Sequence, residues 1–538
     1  MSISGAEATV AALLAADIRV VFGLPGVHNL PIWQAIARTP IRLIGVRHEQ
    51  SAVYAADGLA RRTGTVAVAL TTTGPGAANA VAATGEAMAS GSPVVVVATD
   101  IPRALRRPGV NRGVLHEIRE QSQLFGAVTK EQIVVDDADA IAASLRSALQ
   151  AAARPPAGPV YLEIPTDFLT RDSADTEPPE PHKPPPATGS LTAAVLLIAA
   201  SERPLIWAGG GALGAAESVR ALARRLRAPV IETFAARGLM PLDDPWRVPA
   251  TPHYPPVGAL WDEADLVISV GTQFDGMMTQ NWRMPQPRRH VAINIDATDA
   301  AKNYDADVAL IGDASHWTAG LLTASPERES DGWAPRLTHL QRDLDDFVER
   351  DDPAAGRLLR TLADPAISAC PVVADMCIPG YWAAGLHRAP APRMLAYPVG
   401  WGTLGFALPA ALGAAVLGRT ICLTGDGGLM FALGELATIV EANVPLTVVL
   451  FDDGGYGMLR YDQDEKGWDR LGVDLHTPDF MALASAFGLP ASAVGDVGEE
   501  LRAAILGSLD RDGPSVVIVR GVTLKPPVST SPRWYRTS

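Results

Sequence analysis

"TICLTGDGGLMFALGELATIVEANVPLTVVLFDDGGYGMLR", residues 420–460, is the stretch that decides the fold. A short β-rich apolar run, Thr420 to Thr424, enters Gly425-Asp426-Gly427-Gly428. A helix-length segment then leads to a second apolar run, Leu446 to Phe451, which ends at Asp452-Asp453-Gly454-Gly455. Strand, helix and strand make a βαβ unit, and its right-handed crossover brings both strand ends to one edge of the sheet. Asp426 and Asp453, 27 residues apart, are therefore expected to converge in the crevice where α/β sheets bind ligands. Two carboxylates and a glycine carbonyl are hard oxygen donors suited to Mg²⁺. The glycines let a diphosphate approach the backbone, and the helix start offers free N–H groups and the positive end of its dipole. Each turn alone is also explained as a glycine-rich link in which Asp caps a helix. Paired across one βαβ unit, the two favour a ligand.

The same alternation runs through the rest of the chain. Strands are expected near Val20–Gly23, Ile41–Val46, Val66–Thr71 and Pro93–Thr99, with helices beginning near Gln50 and Gly76. Further strands are "PLIWAGG", "DLVISVG", "HVAINID" and "SVVIV". Strands alternating with helical stretches give the fold class: α/β, with three doubly wound parallel-sheet domains. Six prolines between Pro178 and Pro186 read as an extended linker. The charge-dense segment 325–357 reads as a solvated helix or linker, and the tail from Thr523 as a surface segment. The expected domains are 1–172, 190–325 (Rossmann-like) and 365–525.

Composition narrows the function. A net charge of −14 argues against nucleic-acid binding, which needs a concentrated positive surface. No apolar run approaches the roughly 20 residues that span a bilayer. The N-terminus "MSISGAEATV" lacks the basic start of a signal peptide, so a cytoplasmic location is expected. Cys370, Cys377 and Cys422 are too few for a disulfide framework and lack partners at zinc-ligand spacing.

The paired turns, with "RHEQSAVYAADGLARRTG", "TTTGPGAANA", "GPVYLEIPTD" and "WGTLGFALPAALGA", resemble the acetolactate-synthase-like family of thiamin-diphosphate enzymes, which also holds 2-oxo-acid decarboxylases. The resemblance covers the whole chain. It implies a pyrimidine-binding domain, a central domain and a diphosphate-binding domain, with thiamin diphosphate and Mg²⁺ as cofactors. Asp426, Asp453 and the Gly455 carbonyl would hold the metal, and Gly425, Gly427 and Gly428 would line the diphosphate. The family commonly has Asn-Asn where Asp452-Asp453 stand, so this chain adds negative charge there. Glu49 matches the glutamate that hydrogen-bonds the aminopyrimidine ring and promotes loss of the C2 proton. That role needs a carboxyl in an apolar pocket; taken alone, Glu49 is a helix-start acid favoured by the dipole. Leu404 would wedge between the cofactor rings while the Gly402 carbonyl accepts the amine. The resemblance also implies active sites shared across a homodimer or homotetramer.

His28, in "GLPGVHNLP", and His116, in "RGVLHEIREQ", are candidates for moving protons on a substrate, since imidazole gives and takes protons near neutral pH. Acetolactate synthases usually carry Phe-Gln where Leu115-His116 stand, which shifts the reading towards decarboxylases of larger 2-oxo acids. Gly209, Gly211 and Gly214 lie between a strand and a helix, with Glu232 beyond, as in a dinucleotide fingerprint. Gly276 follows Asp275 where flavin-binding synthases usually show Arg; this weighs against FAD in the central domain without removing it. The expected activity is attack on a 2-oxo acid, loss of CO₂, and then aldehyde release or transfer to a second carbonyl. The alternatives are a catalytically silent thiamin-diphosphate-binding relative and, further off, an NAD-dependent dehydrogenase.

Overall fold

The computed structural model describes residues 3–173, 186–329 and 332–527. Most of the proline-rich segment and the end of the tail lie outside the described residues.

Three parallel sheets follow one another along the chain. The first holds β1 (Val20–Gly23), β2 (Arg42–Gly45), β3 (Ala67–Thr71), β4 (Val94–Asp100), β5 (Glu131–Val134) and β6 (Val160–Pro165), in the order β2-β1-β3-β4-β6-β5. The second holds β7 (Pro204–Ala208), β8 (Val230–Glu232), β9 (Leu266–Val270), β10 (His290–Asn294) and β11 (Val308–Ile311), in the order β8-β7-β9-β10-β11. The third holds β12 (Val372–Ala374), β13 (Leu395–Ala396), β14 (Thr420–Gly425), β15 (Leu446–Asp452), β16 (Ala491–Val494) and β17 (Ser515–Arg520). Its order, β13-β12-β14-β15-β17-β16, repeats that of the first sheet. The central strands β3, β4, β14 and β15 are buried nearly throughout, as strands covered by helices on both faces must be.

The helices that matter for the site are α1 (Glu49–Thr63), α2 (Pro75–Ala89), α3 (Ala334–Asp351), α4 (Pro353–Leu362), α5 (Ala407–Ala415), α6 (Asp426–Phe431) and α7 (Glu435–Ala442). His48 begins α1 by accepting the Gln50 amide, and Gly64, at φ +76°, ends it in the left-handed conformation glycine adopts without strain. Helices α1 and α5 join the first and third sheets in one core with Tyr54, Phe406 and Leu408. Their backbones touch: a Cβ on Gly58 would lie 2.0 Å from the Ala410 carbonyl oxygen, and one on Gly413 1.9 Å from that of Ala55. The same junction buries Arg61, which bonds Asp57 at 2.7 Å, Glu86 at 2.9 Å and the Tyr397 carbonyl at 3.0 Å. Buried charge is tolerated here because it is paired.

The charge-dense segment differs from a solvated linker. Leu340, Leu344 and Val348 recur every four residues on one face of α3, and burying that face joins α3 and α4 to a core shared by the second and third sheets.

Candidate active site

Strands β14 and β15 are adjacent and parallel, with Gly425 opposite Phe451. Asp426 and Asp453 therefore leave the sheet at the same edge. The Asp426 carboxylate, 1% exposed, accepts the Gly427 amide at 2.6 Å through Oδ1. Its Oδ2 accepts the amides of Gly454 at 2.7 Å and Gly455 at 3.0 Å, so one side chain ties the two turns together. Burial, and then the neighbouring Asp453 charge, push Asp426 up to about 6. Burial likewise raises Asp453, against the pull of Arg460, whose Nη2 donates to Oδ1 at 2.9 Å. Asp452 turns elsewhere, towards Thr477 and Arg520.

The backbone here requires glycine. Gly454 and Gly455 have φ of +83° and +147°, and a Cβ on Gly455 would lie 2.1 Å from the Val473 carbonyl oxygen. Among the described residues no three His, Cys, Asp or Glu side chains cluster as a metal site. The oxygen donors offered by the two turns are instead the mutually repelling carboxylates of Asp426 and Asp453 and the Gly455 carbonyl, which accepts the Gly457 amide at 3.2 Å. That set fits a hard divalent cation, which would relieve the repulsion.

Asp375, which the motifs did not single out, follows β12 and bonds to two of the motif segments. It is 1% exposed and accepts Met376 N at 2.9 Å, Gly405 N at 3.2 Å and Thr424 Oγ1 at 3.3 Å. Burial pushes it up to about 6. Gly405 belongs to the Gly402–Leu404 segment, so one carboxyl joins that segment to the strand before Asp426. Gly402 adopts φ +76° and Leu404 is partly exposed.

On the first sheet, Glu49 is the first residue of α1 and is 7% exposed. Asn79 Nδ2 donates to its Oε2 at 3.0 Å, and a Cβ on Gly76 would come within 3.1 Å of Oε1. Two stretches distant in sequence, "RHEQ" and "TTTGPGAANA", thus meet at this carboxyl.

His28 and His116 are brought together, with ring centroids 5.3 Å apart and edge-to-face. Neither Nδ1 has a partner. Burial first, then His116, lowers the affinity of His28 for a proton, while Asp100 opposes them. Beneath them Gln121 Oε1 accepts the Gly74 amide at 2.6 Å, and its Nε2 donates to Thr99 O, Tyr161 OH and Glu163 Oε2. Burial and then Asp100 push Glu163 up to about 7.

The glycine-rich turn of the second sheet packs against its own neighbouring backbone. The Gly211 amide is donated to the Gly271 carbonyl at 3.0 Å, and a Cβ on Gly209 would lie 2.2 Å from that same oxygen. The glycines let two backbones interlock. The turn continues as a 3₁₀ segment, Gly210–Ala215. Glu232, fully buried, accepts the amides of Met240 and Gly238, so its carboxylate is not free for a ribose.

Comparison with known proteins agrees with this geometry. Residues 3–124 match the model of the thiamine pyrophosphate enzyme N-terminal TPP binding domain, residues 191–321 that of the central domain, and residues 377–519 that of the C-terminal TPP binding domain. A probable acetolactate synthase large subunit of Methanocaldococcus jannaschii is 31% identical, over 94% of this chain and 90% of its own length. A probable 2-ketoarginine decarboxylase of Pseudomonas aeruginosa is also 31% identical, over 96% and 94%. The acetolactate synthase large subunit of Parasynechococcus marenigrum is 32% identical, over 96% and 87%. Three consecutive parallel-sheet domains, the paired acidic turns and these matches carry one conclusion: the chain belongs to the thiamin-diphosphate-dependent enzymes of the acetolactate-synthase-like family.

Proposed function

We propose that this chain is a Mg²⁺-dependent enzyme that decarboxylates a 2-oxo acid and either releases the aldehyde or joins the remaining fragment to a second carbonyl compound. Thiamin diphosphate, when bound, supplies the carbon nucleophile that attacks the 2-oxo carbon and the electron sink that lets the carboxylate leave as CO₂. Asp426, Asp453 and the Gly455 carbonyl hold the metal, and the turn Gly425–Gly428 takes the diphosphate. Glu49 hydrogen-bonds the aminopyrimidine ring, while Gly402 and Leu404 set the bend of the cofactor. His28 and His116 deliver and remove the substrate's protons. In aldehyde release the former carbonyl carbon gains a proton. In carboligation it gains a bond to the acceptor carbon, and the acceptor oxygen takes the proton. We assign the three domains to 1–172, 190–325 and 365–525, the assembly to a homodimer or homotetramer with shared sites, and the location to the cytoplasm.

The observation that carries this reading is the Asp426 carboxylate bound to the amides of Gly454 and Gly455, since it supports two acidic turns acting on one ligand. Incubation with Mg²⁺, thiamin diphosphate and a panel of 2-oxo acids is expected to yield CO₂ with an aldehyde or a 2-hydroxyketone, identified by mass spectrometry. Glu49→Gln should keep cofactor binding and slow turnover by orders of magnitude; unchanged turnover removes Glu49 from the mechanism. A silent cofactor-binding relative is the second reading, favoured by Arg460's hold on Asp453. No CO₂ from any panel member at saturating cofactor selects it.

A further inference from the structure

The loop between β4 and β5 carries His116 in an unusual backbone. His116 has φ +66°, a left-handed conformation that is strained for a non-glycine residue and persists only where its surroundings impose it. The segment that follows His116 is fixed at two points. At the first, Arg106 Nη1 donates to the carbonyls of Arg119 at 2.9 Å and Ile118 at 3.3 Å, while Nη2 binds the buried Asp100. At the second, the buried Gln121 spans the Gly74 amide, the Thr99 carbonyl, Tyr161 and Glu163. Gly74 completes the seat: a Cβ there would lie 2.4 Å from the His116 carbonyl oxygen.

We infer that Arg106 and Gln121 are positioning residues that clamp the segment following His116 to the sheet edge and so hold the His116 imidazole against His28. This rests on the proposed role of His116 in substrate proton transfer. Neither residue touches the reacting atoms. Arg106 uses its fork to reach carboxylate and carbonyls at once, which a lysine cannot reproduce. Gln121 needs both an acceptor and a donor at one position, which its amide supplies. A displacement of about 1 Å in a proton-transferring group costs up to about a hundredfold in rate.

The test uses Arg106→Met, Arg106→Lys and Gln121→Met in the full chain with Mg²⁺ and thiamin diphosphate. The measurements are kcat/KM on the active 2-oxo acid, cofactor Kd from tryptophan fluorescence, and hydrogen exchange of residues 112–118. Arg106→Met and Gln121→Met are expected to lose about tenfold to a hundredfold in kcat/KM. Cofactor Kd should stay within about twofold, loop exchange should quicken, and Arg106→Lys should recover part of the loss. In a His116→Gln background, Arg106→Met should add no further loss, because it acts through His116. Wild-type kcat/KM or unchanged loop exchange in the two Met variants overturns the inference, as does an equal loss in the His116→Gln background. Full turnover of His116→Gln alone overturns the proton-transfer role instead, while loop exchange still judges the clamp.

Discussion

A carboxyl cut off from water and set near a second carboxyl holds its proton to a higher pH, and Glu163 does so to about 7. In an unfolded chain the same group releases its proton near the usual value of about 4.3. Between those two values the native state binds a proton that the unfolded state has given up. The contribution of Glu163 to stability is therefore present at low pH and lost as pH rises through 7. Measured against Glu163→Gln, wild-type stability should fall steadily from pH 5 to pH 8 in denaturant titrations; a constant difference sinks the assignment. Glu49, Asp426 and Asp453 could be singled out as candidates in the sequence because each sits inside a short motif. Gln121, Asp375 and Arg106 were not, because their partners are distant: Gly74 lies 47 residues from Gln121, and Gly405 lies 30 from Asp375. Single-chain spacing carries no trace of such pairs.

Elements follow periodicity closely where burial is uniform and less closely where it is one-sided. Val20–Gly23 has the expected bounds and Thr420–Gly425 runs one residue past the expected end at Thr424, since buried parallel strands read as continuous apolar runs. For α3 the sequence allowed a helix but not its buried face, because three buried positions among eighteen residues leave most of the surface polar. The glycine fingerprint at 209–214 decides little by itself, because the spacing is the same whether glycine admits a phosphate or a second backbone. At the crossing of α1 and α5 the second use recurs, and there it is measurable. Gly58→Ala must push two helices apart and should destabilise by about 1–3 kcal/mol or more in urea unfolding. A neutral Gly58→Ala would show that the helices separate freely.

The site as proposed needs more than one copy of the chain, because the family resemblance puts Glu49 opposite another subunit's metal turn. Glu49→Gln and Asp426→Ala proteins should each be inactive alone. Mixed, dissociated and reassociated at equal amounts, half the dimers pair one of each, and one of their two sites is intact. Activity near a quarter of wild type is then expected. No recovery at all would mean that a single chain builds its whole site.

Each sheet is drawn from one unbroken stretch of chain, the first complete by Pro165. Growing polypeptides fold such units from the N-terminus as they leave the ribosome. The first unit must then wait through about 240 further residues of synthesis, from Pro165 to Ala407, before α5 arrives to cover α1. At its closest point to α5 the waiting face presents Ala55 and Gly58, beside Tyr54, and those two small residues offer little greasy area to a chaperone or to another nascent chain. The glycine–alanine packing that makes the finished junction so close also keeps the unfinished one from becoming sticky.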